Sequence, residues 1–598
     1  MVSAKQVALM GLSTLASASV NSTGNSTLTK PNFVFIMTDD QDLHLSSLDH
    51  MPLVQKYLAD EGTIFNKHFC TVSLCCPSRV SLLTGRAAHN TNVTDVSLPY
   101  GGYQQFINNG LHEKYLPVWL QEANYNTYYT GKLMNGFSAT TYNNPYPAGW
   151  NDSDFLVDPQ TYWYYNASMS RDNSTLRYLP GNYSTDVIAN TALEYLDLAA
   201  VAGQPFFLGV TPIGPHAEMK PSLSGEFLLP TPADRHANLF QNLTAPRSPS
   251  FNKLQGSPVG YFATLPELND TEVAYVDLFY RKRIQSLQAV DELVESVVKK
   301  LEALNLLDNT YIIYTSDNGF HIGQHRLPPG KTTCIEEDIN VPFVVRGPGV
   351  AKGAAYNQPT THTDIVPTLF TLANITLHDD FDGEPIPVTT DLQARTVAKS
   401  EHVNVEYWGE GIMEGTISNW VTSTLPNNTY KHVRVVSDAF DLSYTVWCSN
   451  EHELFDFKVW LLTPMNSHST RDNADHAHPP KKTDPYQNTN LYGQSGLIAG
   501  YDAEKLTARL DALLLTLKGC KGRVCTRPWE TLHPQGDVQN LTQALDSKYD
   551  QFYLEQQPKV SFSQCAAGQL LEYEGPQTPL GYGGVDSAEL LKNWDLWT

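Results

Sequence analysis

At 598 residues and a formal net charge of −23, the chain is too long for one compact core and too acidic to take nucleic acid or an anionic membrane surface as its main partner. Its 41% hydrophobic and 11% aromatic content is that of a globular protein and excludes overall disorder. A small anionic substrate is not excluded, because remote surface charge is screened over about 8–10 Å at physiological salt and a cationic pocket acts locally.

The first residues have the order of a signal peptide, predicted over 1–18: Lys5, an apolar stretch from Val7 to Leu15, then Ala16-Ser17-Ala18. That stretch is too short to span a bilayer, and no later apolar run reaches spanning length. About a dozen N-x-S/T sequons follow, Asn92, Asn269 and Asn540 among them, a density that fits passage through the secretory pathway. A Ser/Thr/Asn-rich leader, 19–30, precedes the fold. Phe33-Val34-Phe35-Ile36-Met37 then predicts a buried strand with Asp39 and Asp40 at its C-terminal end, where open α/β sheets bind ligands. Glu272 to Leu304 has helical periodicity. Tyr311 to Thr315 predicts a second strand, again ending in an acid, in Ser316-Asp317-Asn318-Gly319, and Val341 to Val345 a third. Strands alternating with helices imply an α/β fold with a large, mostly parallel sheet covered on both faces. From about Val397 the texture changes: strand-like 431–436 and 444–447 lead to a helical stretch from Ala503 to Leu517, which predicts a smaller C-terminal α+β subdomain over 397–598, after a catalytic domain over 31–396. Among the eight cysteines, Cys520 and Cys525 are close enough for a small disulfide loop, and their spacing does not suit zinc.

The segment that carries most chemistry is Cys75-Cys76-Pro77-Ser78-Arg79, continuing to Leu83-Thr84-Gly85-Arg86. It resembles the sulfatase signature C-x-P-S-R-x-x-x-x-T-G. The resemblance extends over most of the chain, with secreted fungal arylsulfatases and the N-acetylglucosamine-6-sulfatase branch as the nearest groups, and it implies an alkaline-phosphatase-like fold. It implies that Cys75 is oxidised to formylglycine by a formylglycine-generating enzyme during secretion. It further implies that Asp39, Asp40, Asp317, Asn318 and the modified Cys75 hold a metal ion, calcium in preference to magnesium; the oxygen-rich donor set suits a hard cation. Arg79, Lys132 in Tyr129-Thr130-Gly131-Lys132, His216 in Gly214-Pro215-His216, and Lys331 match the family's cationic and imidazole positions. A sulfate ester has a charged, crowded centre whose oxygens need cations placed in advance, and its leaving oxygen needs an acid, for which His216 is the candidate.

The chain departs from the family pattern twice. Many sulfatases carry a His two residues after the Lys, whereas here Lys132-Leu133-Met134-Asn135 stands, so His89 becomes the candidate to assist sulfate expulsion. The stretch 459–482 separates Glu453-Leu454-Phe455-Asp456 from Asp484-Pro485-Tyr486-Gln487 and reads as an insertion or a translated intron. The expected function is hydrolysis of a small aryl sulfate ester, with an amino-sugar 6-sulfate as the alternative. A phosphodiesterase of the same superfold would present Thr or Ser as nucleophile with more His and Asp ligands, and a non-catalytic relative would have lost the charged pocket.

Overall fold

A computed structural model of the chain describes residues 30–219, 227–395, 400–415, 424–458 and 484–584. The predicted signal peptide, the leader up to residue 29 and the stretch 459–482 lie outside the described residues. The main sheet is built from β1 (Asn32–Thr38), β2 (Thr63–Phe65), β3 (Asn126–Gly131), β4 (Asp152–Leu156), β5 (Ser168–Arg171), β6 (Arg177–Tyr178), β7 (Phe206–Thr211), β8 (Thr310–Ser316), β9 (Phe343–Arg346) and β10 (Ala354–Tyr356). They lie side by side in the order β10-β2-β9-β8-β1-β7-β3-β4-β5-β6. The central run β8-β1-β7-β3-β4 is parallel throughout. Towards the edges the pairing turns antiparallel, with β9 against β8 and β2, and β5 against β4 and β6.

Strand β1 shows why the sheet sits in the middle of the molecule. Successive side chains point to opposite faces, and both sets are apolar and buried. Val34 and Ile36 join one core with Ile188 and Leu196 of helix α2 (Ser184–Ala202) and Phe279, Leu287 and Val294 of helix α3 (Asp270–Ala303). Phe33, Phe35 and Met37 join the opposite core with Val80 and Leu83 of helix α1 (Cys75–Thr84). A strand buried on both faces cannot tolerate alternating polarity, hence its unbroken apolar run. Helix α3 begins on a capping box in which the Asn269 side chain accepts from the Glu272 backbone and Glu272 returns the bond.

The C-terminal part folds as four antiparallel strands in chain order, β11 (His402–Tyr407), β12 (Tyr430–Val436), β13 (Asp441–Trp447) and β14 (His452–Asp456). Helix α4 (Ala503–Leu517) has the bounds expected from its periodicity and packs Leu506, Leu510 and Leu513 against Val433, Val435 and Leu442. From Pro31 onward both sheets belong to one compact unit. Cys520 and Cys525 form a disulfide, as their proximity suggested, and Cys448 pairs with Cys565 across 117 residues. Among the described residues no helix is long and apolar enough to cross a membrane.

Candidate active site

Strands β8, β1, β7 and β3 are neighbours running in one direction, so their C-terminal ends form one edge of the sheet. Asp317 and Asn318 follow β8, Asp39 and Asp40 follow β1, His216 lies in the loop after β7, and Lys132 follows β3. Sequence positions nearly three hundred residues apart are thus brought together by parallel pairing. The pairing of β1 with β7 runs on past the strand ends through a bridge between Asp39 and Pro215, which sets His216 beside Asp40. Gly131 turns the chain at the end of β3 with φ 112°, and a Cβ there would lie 2.1 Å from the Thr211 carbonyl oxygen; only glycine lets Lys132 enter here.

Each residue of the cysteine signature has a local task. Cys75 opens helix α1 with its side chain 2% exposed. The Ser78 hydroxyl donates to the Asp317 carbonyl and accepts from His362 Nδ1 at 2.9 Å, fastening the helix to the end of β8. Arg79 is fully buried; its Nε donates to Asp317 Oδ2 at 2.8 Å, Nη1 donates to the Lys132 carbonyl at 2.6 Å, and Nη2 lies 3.7 Å from Asp39. One planar fork therefore spans three of the strand ends, which lysine could not do. Thr84 bonds back to the Val80 carbonyl, and Gly85 ends the helix in the left-handed region at φ 69°.

Charged groups of the cluster converge on Cys75 Sγ, which marks where an oxygen-bearing group at this position would stand. It lies 3.1 Å from Lys331 Nζ, 3.5 Å from Asp39 Oδ1 and 3.8 Å from Asp40 Oδ1. Lys132 Nζ bonds Asp39 Oδ2 at 2.6 Å, and Lys331 Nζ bonds Asp40 Oδ1 at 2.5 Å. His216 donates through Nδ1 to the Ala217 carbonyl at 2.6 Å, which turns Nε2 towards Asp40 Oδ2 at 3.6 Å. Burial alone would raise both carboxyls. Lys132, His216 and Arg79 nevertheless hold Asp39 well below the usual range, and Lys331 with His216 brings Asp40 down to about 2. Burial would equally neutralise the lysines, yet Asp39 and Asp40 respectively keep Lys132 and Lys331 strongly cationic. The thiol of Cys75 is pushed well above its ordinary value by burial, so the unmodified residue is no thiolate nucleophile.

A hard cation fits this arrangement. Asp40 Oδ2 and Asn318 Oδ1 are buried without a hydrogen-bond partner, and oxygens of Asp39 and Asp40 lie with Cys75 Sγ and a His216 nitrogen within 4.8 Å of one another. Asp40 has φ 67°, a left-handed conformation that aspartate tolerates, and its backbone N–H donates to Asp317 Oδ1 at 3.0 Å. The oxygen-rich donors suit calcium or magnesium better than a softer metal.

The structure thus gathers Asp39, Asp40, Cys75, Arg79, Lys132, His216, Asp317, Asn318 and Lys331. It does not bring His89 among them: His89 Nδ1 bonds Glu406 at 2.8 Å and Nε2 faces the Cys520 carbonyl at 2.7 Å, so both ring nitrogens are occupied by groups outside the cluster. Met134, two residues after Lys132 where many sulfatases have histidine, is buried in the core, and Asn135 after it donates to the Tyr162 hydroxyl at 2.6 Å.

Three residues of the site escaped the sequence. Tyr162 stacks on His216 at 4.3 Å with Lys132 Nζ 4.7 Å from its ring centre, and nothing in its aromatic-rich segment marked it. Glu414 arrives from beyond β11, its Oε1 2.8 Å from Lys331 Nζ, with no motif around it. Arg283 could have been found: it is a charge on the buried face of α3, four residues from Phe279 and from Leu287, and it holds the Asp40 carbonyl at 2.5 Å and Asp42 at 3.1 Å.

Comparison with known proteins agrees with this geometry. The family model described as Sulfatase matches residues 31–375, more than half of the chain. The chain belongs to the sulfatase family, whose reaction is the hydrolysis of sulfate esters. Sulfatase ppz1 of Metarhizium majus is 46% identical over 436 residues, covering 73% of this chain and 89% of that protein. The arylsulfatase of Volvox carteri is 36% identical, covering 91% of this chain and 82% of its own. Human N-acetylglucosamine-6-sulfatase is 31% identical, with 83% and 86% covered. The solved structure of BT4656 with its substrate D-glucosamine-2-N,6-O-disulfate shares the fold, with TM-score 0.59 at 20% identity over 78% of this chain and 94% of that one.

Proposed function

We propose that this chain is a secreted, calcium-dependent arylsulfatase that hydrolyses a small aryl sulfate to a phenol and inorganic sulfate, with formylglycine made from Cys75. The observation that carries this reading is the convergence on Cys75 Sγ of Lys331 at 3.1 Å and the two carboxylates of Asp39 and Asp40 at one sheet edge. Asp39, Asp40, Asp317 and Asn318 would hold the divalent cation, which would supply Lewis-acid polarisation, and formylglycine at position 75 would supply, once hydrated, one hydroxyl for attack and a second for sulfate release. The remaining work falls to this chain's own side chains. Lys132 and Lys331 bind the sulfate oxygens. Arg79 fixes the strand ends on which Asp39 and Asp317 stand. His216, with Nδ1 on the Ala217 carbonyl and its ring stacked on Tyr162, passes a proton from Nε2 to the departing ester oxygen. His89 has no part in this chemistry.

Export is supported by the signal-like N-terminus, the sequons and two disulfides. The alternative, removal of the 6-sulfate from an amino sugar, draws on the similarity to N-acetylglucosamine-6-sulfatases. The decisive experiment has two parts. Mass spectrometry of the Cys75 peptide from secreted protein is expected to show a loss of about 18 Da, thiol replaced by aldehyde. The same protein is then assayed on 4-methylumbelliferyl sulfate and on N-acetylglucosamine 6-sulfate; turnover of the sugar alone would overturn the aryl reading.

A further inference from the structure

Among the described residues, Glu414 is the one carboxylate at the candidate site that does not come from the C-terminal edge of the main sheet. A backbone bond from its N–H to the Pro329 carbonyl at 2.7 Å and a bridge between Met413 and Gly330 seat its segment directly against the loop that carries Lys331. The side chain is 2% exposed. Its Oε1 is 2.8 Å from Lys331 Nζ and 3.8 Å from His216 Nε2, while Oε2 is buried without a hydrogen-bond partner. An additional carboxylate beside a sulfate is unfavourable unless it faces away from the sulfate oxygens. Glu414 stands with His216, the proposed acid, and therefore on the side where the leaving group sits. A buried carboxylate oxygen with no donor is also costly in itself, so a substrate group that gives it a hydrogen would be favoured there.

We propose that Glu414 is a specificity-determining residue whose Oε2 accepts a hydrogen bond from a hydroxyl or ammonium group borne by the substrate next to its ester oxygen, while Oε1 stays with Lys331. This rests on the reading of His216 as the leaving-group side. It narrows the substrate class to sulfate esters with a neighbouring donor: an ortho-hydroxylated phenol in the aryl series, or a sugar sulfate with an adjacent free hydroxyl.

The test compares kcat/KM for catechol monosulfate and phenyl sulfate, read as released sulfate, in wild type, Glu414→Ala and Glu414→Gln, each with formylglycine content measured. The ratio of the two substrates cancels the differences in formylglycine content and general activity. Glu414→Ala is expected to lower the catechol-to-phenyl ratio by about tenfold or more, the worth of a hydrogen bond to a charged group. Glu414→Gln is nearly isosteric, but Lys331 claims its single amide oxygen and its NH2 can only donate, so it is expected to lower the ratio as well. A ratio unchanged in both variants, with the two substrates falling in parallel, would overturn the proposal and leave Glu414 as a holder of Lys331. If wild type turns over neither aryl ester, the aryl reading falls instead. The same ratio is then taken for N-acetylglucosamine 6-sulfate against its 4-deoxy analogue, where an unchanged ratio in Glu414→Ala again overturns the proposal.

Discussion

Arg79→Ala tests the frame on which every other site residue depends. Arg79 is 0% exposed and is the counter-charge to Asp317 at 2.8 Å and Asp39 at 3.7 Å. Removing it leaves two buried carboxylates short of a partner, and breaking a buried pair in this way costs about 3–5 kcal/mol. Arg79→Lys keeps a charge but loses the fork, so it forfeits one of the two bonds now made to Asp317 and to the Lys132 carbonyl. At about 1.5–3 kcal/mol for a hydrogen bond involving a charged group, it falls between wild type and alanine. The assay is urea unfolding followed by tryptophan fluorescence, first in excess chelator and then in calcium. At a hundred times its Kd, a cation that binds only the folded state adds about 2.7 kcal/mol. Because the proposed cation would neutralise the same carboxylates as Arg79, calcium is expected to restore more stability to Arg79→Ala than it adds to wild type. A loss below about 1 kcal/mol in chelator, or an equal calcium increment in both proteins, would refute the idea that Arg79 and the cation share one charge balance.

Lys132→Ala removes a preplaced cation 2.6 Å from Asp39 and is expected to lower kcat/KM by about 10²–10³ at unchanged formylglycine content; a change under fivefold argues against its binding sulfate. His89→Gln separates structure from catalysis through pH. Burial works against both partners of the pair, but His89 and Lys431 pull Glu406 down to about 2 from 4.5, so its contribution exists above pH 4.5 and is lost as pH falls towards 2. His89 is raised above 6.5 by Glu406, so its contribution is full below pH 6.5 and is lost as pH rises through the folded value. The stability gap between wild type and His89→Gln is therefore expected to be widest between pH 4.5 and 6.5. A flat gap together with a hundredfold loss of activity would restore His89 to the catalytic set. For the disulfides, loop-closure entropy assigns about 5 kcal/mol to the 117-residue loop of Cys448–Cys565 and about 2 kcal/mol to the short Cys520–Cys525 loop. Paired Cys→Ala variants measured by thermal unfolding are expected to rank in that order, and the reverse order would argue against the entropic account.

What could be read in advance divides along a physical line. Position along the chain carries information where one short segment does one job. The apolar run 33–37 becomes β1 because a strand buried on both faces must be apolar at every position, and 503–517 becomes α4 because its leucines recur on one face. The cysteine signature is legible for the same reason. Cys75, Ser78, Arg79 and Gly85 lie within about three turns of one helix, so the spacing of the motif is the spacing of a structure. The metal candidates were legible as pairs at strand ends, and parallel pairing of β1 with β8 turned two local pairs into one site. By contrast, the antiparallel direction of β9 depends on the route of the chain between strands, which its own apolar run does not encode. Glu414 and Tyr162 reach the site through loops, so their importance depends on where the C-terminal sheet and the β4–β5 region come to rest.

His89 went astray for a related reason. A histidine fourteen residues after the cysteine is near it in sequence, but Gly85 ends the helix in the left-handed region and sends the chain away. Asp382 then accepts from the Ala87 backbone and from Asn90, while Glu406 and the Cys520 carbonyl take the two nitrogens of His89. The same glycine that completes the signature thus separates Cys75 from the histidine after it. Where the usual histidine is missing, the structure offers Glu414 as the additional titratable group in contact with Lys331 and next to His216. A carboxylate there cannot replace a histidine as a cation, but it can read the substrate. On this reading Glu414 faces what the sulfate is attached to rather than the sulfate itself.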